Sequence, residues 1–325
     1  MGAGTADVAV SVGAAQAVSH TRLVSAPAQV ATRLCRFVGR VTTEMYPWQA
    51  ADGWFARFAT EMTNHAAVLA CPNCALALRL VADGATCPNG HSFDRGRGGY
   101  LNLLVGGRLN AATTPGDTPD ALAARRSFLG AGYYAPIAAV LAQAVGVPEG
   151  PVLDVGCGEG YYLSQLDLTC LYGIDVAKSA VQMAARLLPD AQFVVGSAYR
   201  LPVLDGSVAA VLSVFAPHPL KEFQRVLQPG GRWVTVTPGP NHLQEMRPEL
   251  SGDSERKAVE RLERRAVAPP EAAAAQRLEF QLQLNAEALR DLFYMTPIQW
   301  QSGAKGSESE VGRTVSIDVW VASSA

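Results

Sequence analysis

Short apolar runs alternate with helical patterns over the second half of the chain. Five runs have the length of buried strands, namely Pro151–Val155, Leu171–Ile174, Gln192–Val195, Val208–Phe215 and Trp233–Thr237. Stretches with helical periodicity lie between them, among them Lys178–Leu188 and Leu220–Leu227. Strands joined through helices form parallel sheets with right-handed crossovers. The pattern therefore predicts an α/β fold with a doubly wound, Rossmann-like sheet.

The segments around this sheet carry other patterns. A helical pattern covers Asp120–Ala144 and is interrupted near Gly132 and Pro136. Beyond the fifth run, the charged and alanine-rich stretch Glu249–Arg277 predicts a solvated helical insertion. The alternation over Thr314–Val321 predicts a last strand, which we expect at the edge of the sheet.

The first part of the chain is built differently. From Cys71 to Leu104 it consists of short strands and turns, with Asp83-Gly84 as a hairpin signal. We divide the chain into an N-terminal extension of unknown role (1–65), a small cysteine-bearing domain (66–104), a helical connector (105–145) and a sheet domain (146–325). One hypothesis places the start of the native protein at Met62, which intact-mass analysis would test; the alternative is a loosely ordered extension.

Composition narrows the class of protein. Of the 325 residues 49% are hydrophobic, and no apolar run approaches the roughly 18 residues that span a bilayer, which favours a soluble protein. No Lys or Arg precedes the apolar stretch Val8–Val18, so the charged start of a secretion signal is missing. The net charge of −2 gives no overall attraction to phosphate, so nucleic-acid binding would need a local basic patch.

Three of the six cysteines lie within seventeen residues and beside a histidine. Cys71 and Cys74 form one pair, and Cys87 and His91 form the second; twelve residues separate Cys74 from Cys87. A knuckle can present one pair and a hairpin the other to a tetrahedral zinc ion. Four protein ligands leave no open coordination position, so this spacing favours a structural zinc over a catalytic one or an empty site. It also favours a reducing compartment, and we expect the cytoplasm.

Arginines surround this predicted zinc-binding domain. Arg95 and Arg97 follow the ligands, Arg108 lies in the connector, and Arg125 and Arg126 lie in the helical pattern. Guanidinium groups suit contacts with phosphate. Because neighbouring aspartates offset part of the charge, a solvated surface is the alternative to an RNA-binding one.

A glycine-rich loop follows the first predicted strand. Asp154 ends the strand, and Gly156, Gly158 and Gly160 lead into a helix. Such a loop lets the backbone approach a ligand closely and can wrap the methionine and ribose parts of a cofactor. Asp175 ends the second strand about twenty residues on, where a carboxylate can accept hydrogen bonds from ribose hydroxyls. The order G-x-G-x-G differs from the dinucleotide fingerprint and disfavours NAD.

The sequence also predicts roles for two further residues near this loop, Ser197 and Cys157. Ser197 follows the third strand at a position where related enzymes commonly have aspartate, so we expect a weaker or backbone-mediated contact with adenine. Cys157 lies inside the glycine loop and is expected to be a small buried side chain and not a nucleophile.

Eight motifs together resemble one family. They are Cys71-x-x-Cys74, Cys87-Pro-x-x-His91-x-Phe-Asp94, Gly99-Tyr-Leu-Asn-Leu-Leu104, Pro115-Gly-Asp117, Ala124-Arg-Arg-x-Phe-Leu129, Gly132-Tyr-Tyr134, Leu153-Asp-Val-Gly-Cys-Gly-Glu-Gly-Tyr-Tyr162 and Thr237-Pro-Gly-Pro-x-His242. From Cys71 to Trp320 the chain resembles the 23S rRNA (guanine-N1)-methyltransferases of the RlmA family, which include the tylosin-resistance enzyme of actinomycetes.

The resemblance implies a class I S-adenosylmethionine-dependent methyltransferase with a small N-terminal zinc-binding domain. It places the zinc ligands at Cys71, Cys74, Cys87 and His91. It places cofactor contacts at Tyr134, Gly158, Glu159 and His242, beside the fold's ribose carboxylate at Asp175. A hairpin of 23S rRNA as substrate, a homodimer and a contribution to macrolide resistance are further implications. Without the resemblance, Tyr134 is a packed aromatic residue and His242 a surface histidine.

The sequence does not identify the group that takes the proton from guanine N1. Phe215, after the fourth strand, is a candidate to stack on an everted guanine, and His218 is a candidate proton acceptor. Two rival hypotheses are a small-molecule methyltransferase capped by the zinc unit and an RNA-binding protein without turnover. The arginines argue against the first, and the intact glycine loop with Asp175 argues against the second.

Overall fold

A computed structural model describes residues 68–104, 118–249, 272–296 and 312–324, and the backbone of Val8–Ala9. Its strands are β1 (Val8–Ala9), β2 (Arg79–Val81), β3 (Gly84–Thr86), β4 (Ser92–Asp94), β5 (Leu101–Asn102), β6 (Val152–Val155), β7 (Leu171–Asp175), β8 (Gln192–Val195), β9 (Val208–Val214), β10 (Leu227–Pro238), β11 (Ala274–Leu284) and β12 (Arg313–Ser323). The hypothesis on Met62, the predicted Arg108 contact and most of the predicted Glu249–Arg277 insertion lie outside the described residues.

Helices connect these strands. They are α1 (Pro119–Gly130), α2 (Ala135–Val145), α3 (Tyr161–Ser164), α4 (Lys178–Leu187), α5 (Leu220–Val226) and α6 (Ala286–Met295), with a 3₁₀ turn at Gln244–Glu249. Among the described residues, no single helix has the length and apolar character of a membrane span; α1 and α2 pass that test only as a pair bent by 79°.

Nine of the described strands form one sheet in the order β1-β11-β12-β10-β9-β6-β7-β8-β5. Every neighbouring pair from β10 to β5 is parallel. The chain order reverses at β6, which lies between β7 and β9, and ligands of doubly wound sheets bind at the carboxyl ends of the strands at such a point. The predicted parallel sheet is confirmed, and its switch point lies where the glycine loop begins.

The far side of the sheet differs from the prediction. β12 is a strand, as predicted, but it lies between β10 and β11 and is antiparallel to both, so its predicted place at the edge is wrong. β11 was not predicted, and its first residues, 274–277, belong to the stretch expected to be helical. The prediction followed the alanines and the charge up to Arg277, whereas Leu278, Phe280, Leu282 and Leu284 alternate with polar residues, which is the pattern of a strand.

Two helices before the sheet pack against it. The Thr118 side chain caps α1 by accepting a hydrogen bond from Ala121 N (3.2 Å). Gly132, with a φ of +83°, interrupts the helical conformation between α1 and α2. Phe128 of α1 and Ile137 of α2 are buried in one apolar cluster with side chains of the sheet. The segment between the two helices is therefore fixed against the core.

The cysteine-bearing segment is joined to the sheet by backbone hydrogen bonds. β2, β3 and β4 form a small antiparallel sheet, with the predicted hairpin between β2 and β3, whereas β5 extends the large sheet by pairing with β8. Ala70 N donates to Pro202 O (3.0 Å) and Leu204 N donates to Val68 O (2.9 Å). This segment, called the ribbon below (residues 68–104), is therefore held at the loop that follows β8.

The loop between β8 and β9 is itself held by an ion pair. Arg225 on α5 donates to the carbonyl oxygens of Leu201 (3.0 Å) and Val203 (2.7 Å) and pairs with Glu222 (2.8 Å). Glu222 in turn accepts a hydrogen bond from Leu201 N (2.8 Å). The ribbon is thus attached to a fixed loop.

Candidate active site and metal centre

The four predicted zinc ligands converge in the ribbon. Their donor atoms lie within 4.8 Å of one another. Cys71 Sγ and His91 Nδ1 are 3.5 Å apart, Cys74 Sγ and Cys87 Sγ 3.6 Å, and Cys87 Sγ and His91 Nδ1 3.3 Å. Zinc–ligand bonds of about 2.1–2.3 Å in a tetrahedron give donor separations of about 3.5–3.8 Å. The donor set and its spacing fit one zinc ion.

Turns shape the two knuckles. Ala75 N donates to Cys71 O (2.8 Å), and Gly90 N donates to Cys87 O (3.0 Å) with a φ of +79° at Gly90. The first turn carries Cys71 and Cys74, and the second carries Cys87 and His91. Four protein ligands make a closed coordination shell, so the metal here acts as a cross-link and not as a Lewis acid.

The glycine loop leaves the carboxyl end of β6. Gly156 has a φ of +80°, and a Cβ atom on it would overlap Ala216 in the loop after β9. Gly160, at φ +86°, precedes α3. Gly158 N donates to Asp175 Oδ2 (2.9 Å), which ties the loop to the end of β7. Because Gly156, Gly158 and Gly160 have no side chains, a ligand can approach the backbone of the loop at these three positions.

Two buried carboxylates at this loop each have one oxygen without a hydrogen-bond partner. Asp154 is 2% exposed and Glu159 6% exposed, and Oδ1 of the first and Oε1 of the second have no hydrogen-bond partner among the described residues. Burial, and then the charges of Asp175 and Glu159, raise the pKa of Asp154 to about 8. Burial also raises the pKa of Glu159, and the Arg125 guanidinium opposes this shift. The site therefore favours a cationic ligand.

The raised pKa of Asp154 predicts a pH-dependent stability without cofactor. Its pKa in the folded state lies above the ordinary value of about 3.9, so its contribution to stability is present at low pH and is lost as the pH rises toward 8. Asp154→Asn should reduce the fall in melting temperature between pH 5 and pH 9. The same substitution at exposed Asp167 should leave the wild-type slope unchanged, and identical slopes for all three proteins would contradict the prediction.

Asp175 is already engaged by backbone amides. Its Oδ1 accepts from Ala177 N (2.8 Å) and its Oδ2 from Gly158 N (2.9 Å). Val195 pairs with Asp175 across β7 and β8, so Ser197 follows two residues beyond that point. Ser197 Oγ accepts from Tyr199 N (3.2 Å). The ribose role of Asp175 and the adenine role of Ser197 stay predictions.

Three predicted residues from distant parts of the chain form an aromatic cluster. The ring centres of Tyr134 and Phe215 are 6.0 Å apart, and those of Phe215 and His242 are 5.6 Å apart. Tyr134 and His242 are buried, whereas Phe215 is 37% exposed and has a φ of +53°, a backbone conformation that side chains disfavour. Strain of this kind is commonly found at functional sites. His242 is therefore not a surface histidine.

His218 and Cys157 lie outside this cluster. His218 Nδ1 is 3.4 Å from Ala216 O. Because a carbonyl oxygen only accepts hydrogen bonds, this contact favours the neutral tautomer with the proton on Nδ1. Nε2 is then the acceptor. Cys157 is buried, and burial raises its thiol pKa well above the ordinary value, as expected for a residue that is not a nucleophile.

A buried ion pair, which the sequence did not reveal, supports the loop that carries His242. Asp318 on β12 accepts from Arg277 Nε (2.9 Å) and Nη2 (2.8 Å), and also from Asn241 N (2.7 Å). Asp318 N is 3.4 Å from His242 Nδ1. A Cβ atom on Gly239 would overlap the Asp318 carboxylate. Asp318 therefore fixes the backbone on both sides of Pro240.

The structure separates the predicted basic residues. Arg95 donates to Gly99 O (2.6 Å) and to Gln192 Oε1 (3.1 Å), whereas Arg125 lies 3.6 Å from Glu159 at the glycine loop. Arg97 and Arg126 are exposed. The expected contact of these arginines with RNA stays a prediction.

Two family models match the chain. One, described as RlmA, N-terminal, is a zinc ribbon and covers residues 69–105. The other, described as methyltransferase domain, covers residues 152–231 and so includes the glycine loop. The cofactors of this chain are S-adenosylmethionine and zinc, in agreement with the buried carboxylates beside the glycine loop and with the four donors of the ribbon.

Curated relatives cover more of the chain. A 23S rRNA (guanine(748)-N1)-methyltransferase of Streptomyces fradiae is 38% identical over 71% of this chain and 85% of the relative. Proteins provisionally named 23S rRNA (guanine-N1)-methyltransferase are 40% identical in Micromonospora griseorubida, over 55% of this chain and 68% of the relative, and 30% identical in Bacillus subtilis, over 71% and 86%. This chain therefore belongs to the RlmA family of 23S rRNA (guanine-N1)-methyltransferases.

Proposed function

We propose that this chain transfers a methyl group from S-adenosylmethionine to N1 of a guanine in a hairpin of 23S rRNA, in the cytoplasm. Family membership over both the ribbon and the sheet carries the proposal. The glycine loop, the buried carboxylates and the aromatic cluster at one edge of the sheet support it, because they combine a cation-favouring pocket with a face for a planar base.

An exposed loop beside the ribbon supports RNA as the substrate. Tyr199 is 72% exposed and follows the carboxyl end of β8, the edge at which the glycine loop lies. Its neighbour Arg200 reaches the first zinc knuckle, where Nη2 is 3.5 Å from Pro72 O. An exposed aromatic ring next to a guanidinium group can stack on an unpaired base and contact phosphate. We propose this loop, with Arg97 and Arg126, as contacts for the hairpin.

The chain's own residues orient and deprotonate the base. The cofactor supplies an electrophilic methyl group on a sulfonium sulfur. The exposed ring of Phe215 can stack on an everted guanine, with Tyr134 and His242 packed behind it. With the cofactor bound, these residues would hold N1 in line with the methyl group, and the N1 proton would pass to an acceptor on the protein. Nε2 of His218 is our candidate acceptor.

Substitution of His218 tests this assignment. General-base catalysis contributes roughly 10²–10⁴-fold, so His218→Ala should lower kcat by about that range while the affinity for S-adenosylmethionine stays unchanged. The control is Lys221→Ala, an exposed residue three positions farther along the chain, which should keep wild-type turnover. Unchanged turnover of His218→Ala would remove this residue from the mechanism.

Primer extension on 23S rRNA tests the proposed function itself. A methyl group on N1 blocks the base-pairing edge of guanine, so reverse transcription stops there in cells that express the chain and reads through in cells that lack it. Transfer of label to a metabolite but not to the hairpin would favour the small-molecule rival. The homodimer and the contribution to tylosin resistance stay predictions of the resemblance, and the domain boundaries stay predictions of the sequence pattern.

A further inference from the structure

Arg125 lies directly against the glycine loop. Its Nη1 is 3.6 Å from Glu159 Oε2, and a Cβ atom placed on Gly158 would be 3.4 Å from the same nitrogen. Within the described ranges, Arg125 is the one cation that forms an ion pair with this loop. Its position was predicted from sequence only as part of a general basic surface.

The ion pair of Arg125 is loose. A charge-assisted hydrogen bond between a guanidinium and a carboxylate has a length of about 2.7–2.9 Å, and 3.6 Å is well beyond it. The second oxygen of Glu159 has no partner, and the Arg125 side chain is 26% exposed. A guanidinium has five N–H donors, so Arg125 retains donors for a ligand.

The helix that carries Arg125 holds it in place. α1 packs against α6, with Phe128 buried in the main apolar cluster and Leu122 buried in a second cluster with Ala177 and Ala180. Its N-terminus is capped by Thr118. Arg126, the next residue, is exposed. The guanidinium is therefore presented to the loop by a fixed element.

The amino-acid end of the cofactor has the complementary charges. It carries one carboxylate and one ammonium group, and the loop offers one guanidinium beside two carboxylates, Asp154 and Glu159, with unpartnered oxygens. We propose that Arg125 binds the carboxylate of the methionine part of the cofactor, while Asp154 and Glu159 accept from its ammonium group. This inference rests on the proposed function for its ligand.

Calorimetric binding with two ligands tests the proposal. S-adenosylmethionine and its decarboxylated analogue differ by the carboxylate that Arg125 is proposed to bind. Wild type should bind the analogue roughly 10- to 100-fold more weakly, the factor that a charged hydrogen bond contributes. Arg125→Ala should bind the cofactor with a similar loss and should no longer distinguish the two ligands.

Two variants complete the experiment. Arg126→Ala, on the same helix, should bind both ligands as wild type does. Arg125→Lys keeps the charge and should recover part of the preference, and it also serves if the alanine variant fails to fold. Failure of wild type to bind S-adenosylmethionine at all would overturn the proposed function. A preference for the carboxylate that survives in Arg125→Ala, or is absent from wild type, would overturn the role of Arg125 alone.

Discussion

Removal of zinc is expected to unfold the ribbon and to loosen the loop that follows β8. Structural zinc binds small zinc units with about 10–16 kcal/mol, which is as large as the whole stability of an ordinary domain. In Cys87→Ser, amide protection in β3 and β4 should fall to that of unfolded chain. Protection of the Leu204 amide should fall as well, because it donates to Val68 O of the ribbon. Hydrogen exchange read by mass spectrometry measures both.

Cys157→Ala provides the matched control. Cys157 is a buried cysteine that is not a zinc ligand, so its loss should leave exchange in the ribbon unchanged. Protection of the ribbon at wild-type level in Cys87→Ser, or after complete chelation, would show that the metal does not hold this unit together.

Asp318→Ala is expected to lower the free energy of unfolding by about 3 kcal/mol. The substitution removes the bidentate acceptor of Arg277 and the acceptor of Asn241 N. Breaking a buried ion pair costs about 3–5 kcal/mol, and the lower end applies because the Arg277 side chain is 26% exposed. Urea denaturation at neutral pH measures the change.

Glu279→Ala is the control for this ion pair. Glu279 also pairs with Arg277 (2.6 Å), but its side chain is 54% exposed, so its loss should cost less than about 1 kcal/mol. Equal losses for the two variants would mean that burial does not distinguish the two carboxylates. Asp318→Ala should also bind S-adenosylmethionine more weakly, because Asp318 fixes the loop that carries His242, a predicted cofactor contact.

Local spacing made the metal centre and the glycine loop predictable. The four zinc ligands occupy two short turns, and Asp154 with the glycines occupies one strand end, so neither depends on distant pairing. The strand order beyond β10 could not be predicted in the same way. β12 pairs with β10 on one side and with Ala274–Leu284 on the other, and alternation within a strand does not indicate which neighbours the strand will have.

The convergence of distant residues is what the sequence left open. Nothing in the neighbourhood of Tyr134 indicates that it meets Phe215 and His242; the resemblance alone suggested that Tyr134 and His242 share a ligand. Arg125 and Arg126 are adjacent and chemically identical, and only the orientation of α1 directs the first to the glycine loop. Asp318 gave no signal because an acidic residue within a strand is ordinarily assigned to the solvent-facing side.

The attachment of the ribbon along β8 also sets a distance. Because β5 is a strand of the large sheet and residues 68–70 bond to the next loop, the zinc knuckle and the methyl-donor pocket cannot swing independently. A nucleic acid seated on one end presents to the other only a nucleotide at a fixed separation along its helix. If the ribbon binds the hairpin as proposed, the methylated guanine is the one that lies at this fixed distance from the bound part of the hairpin.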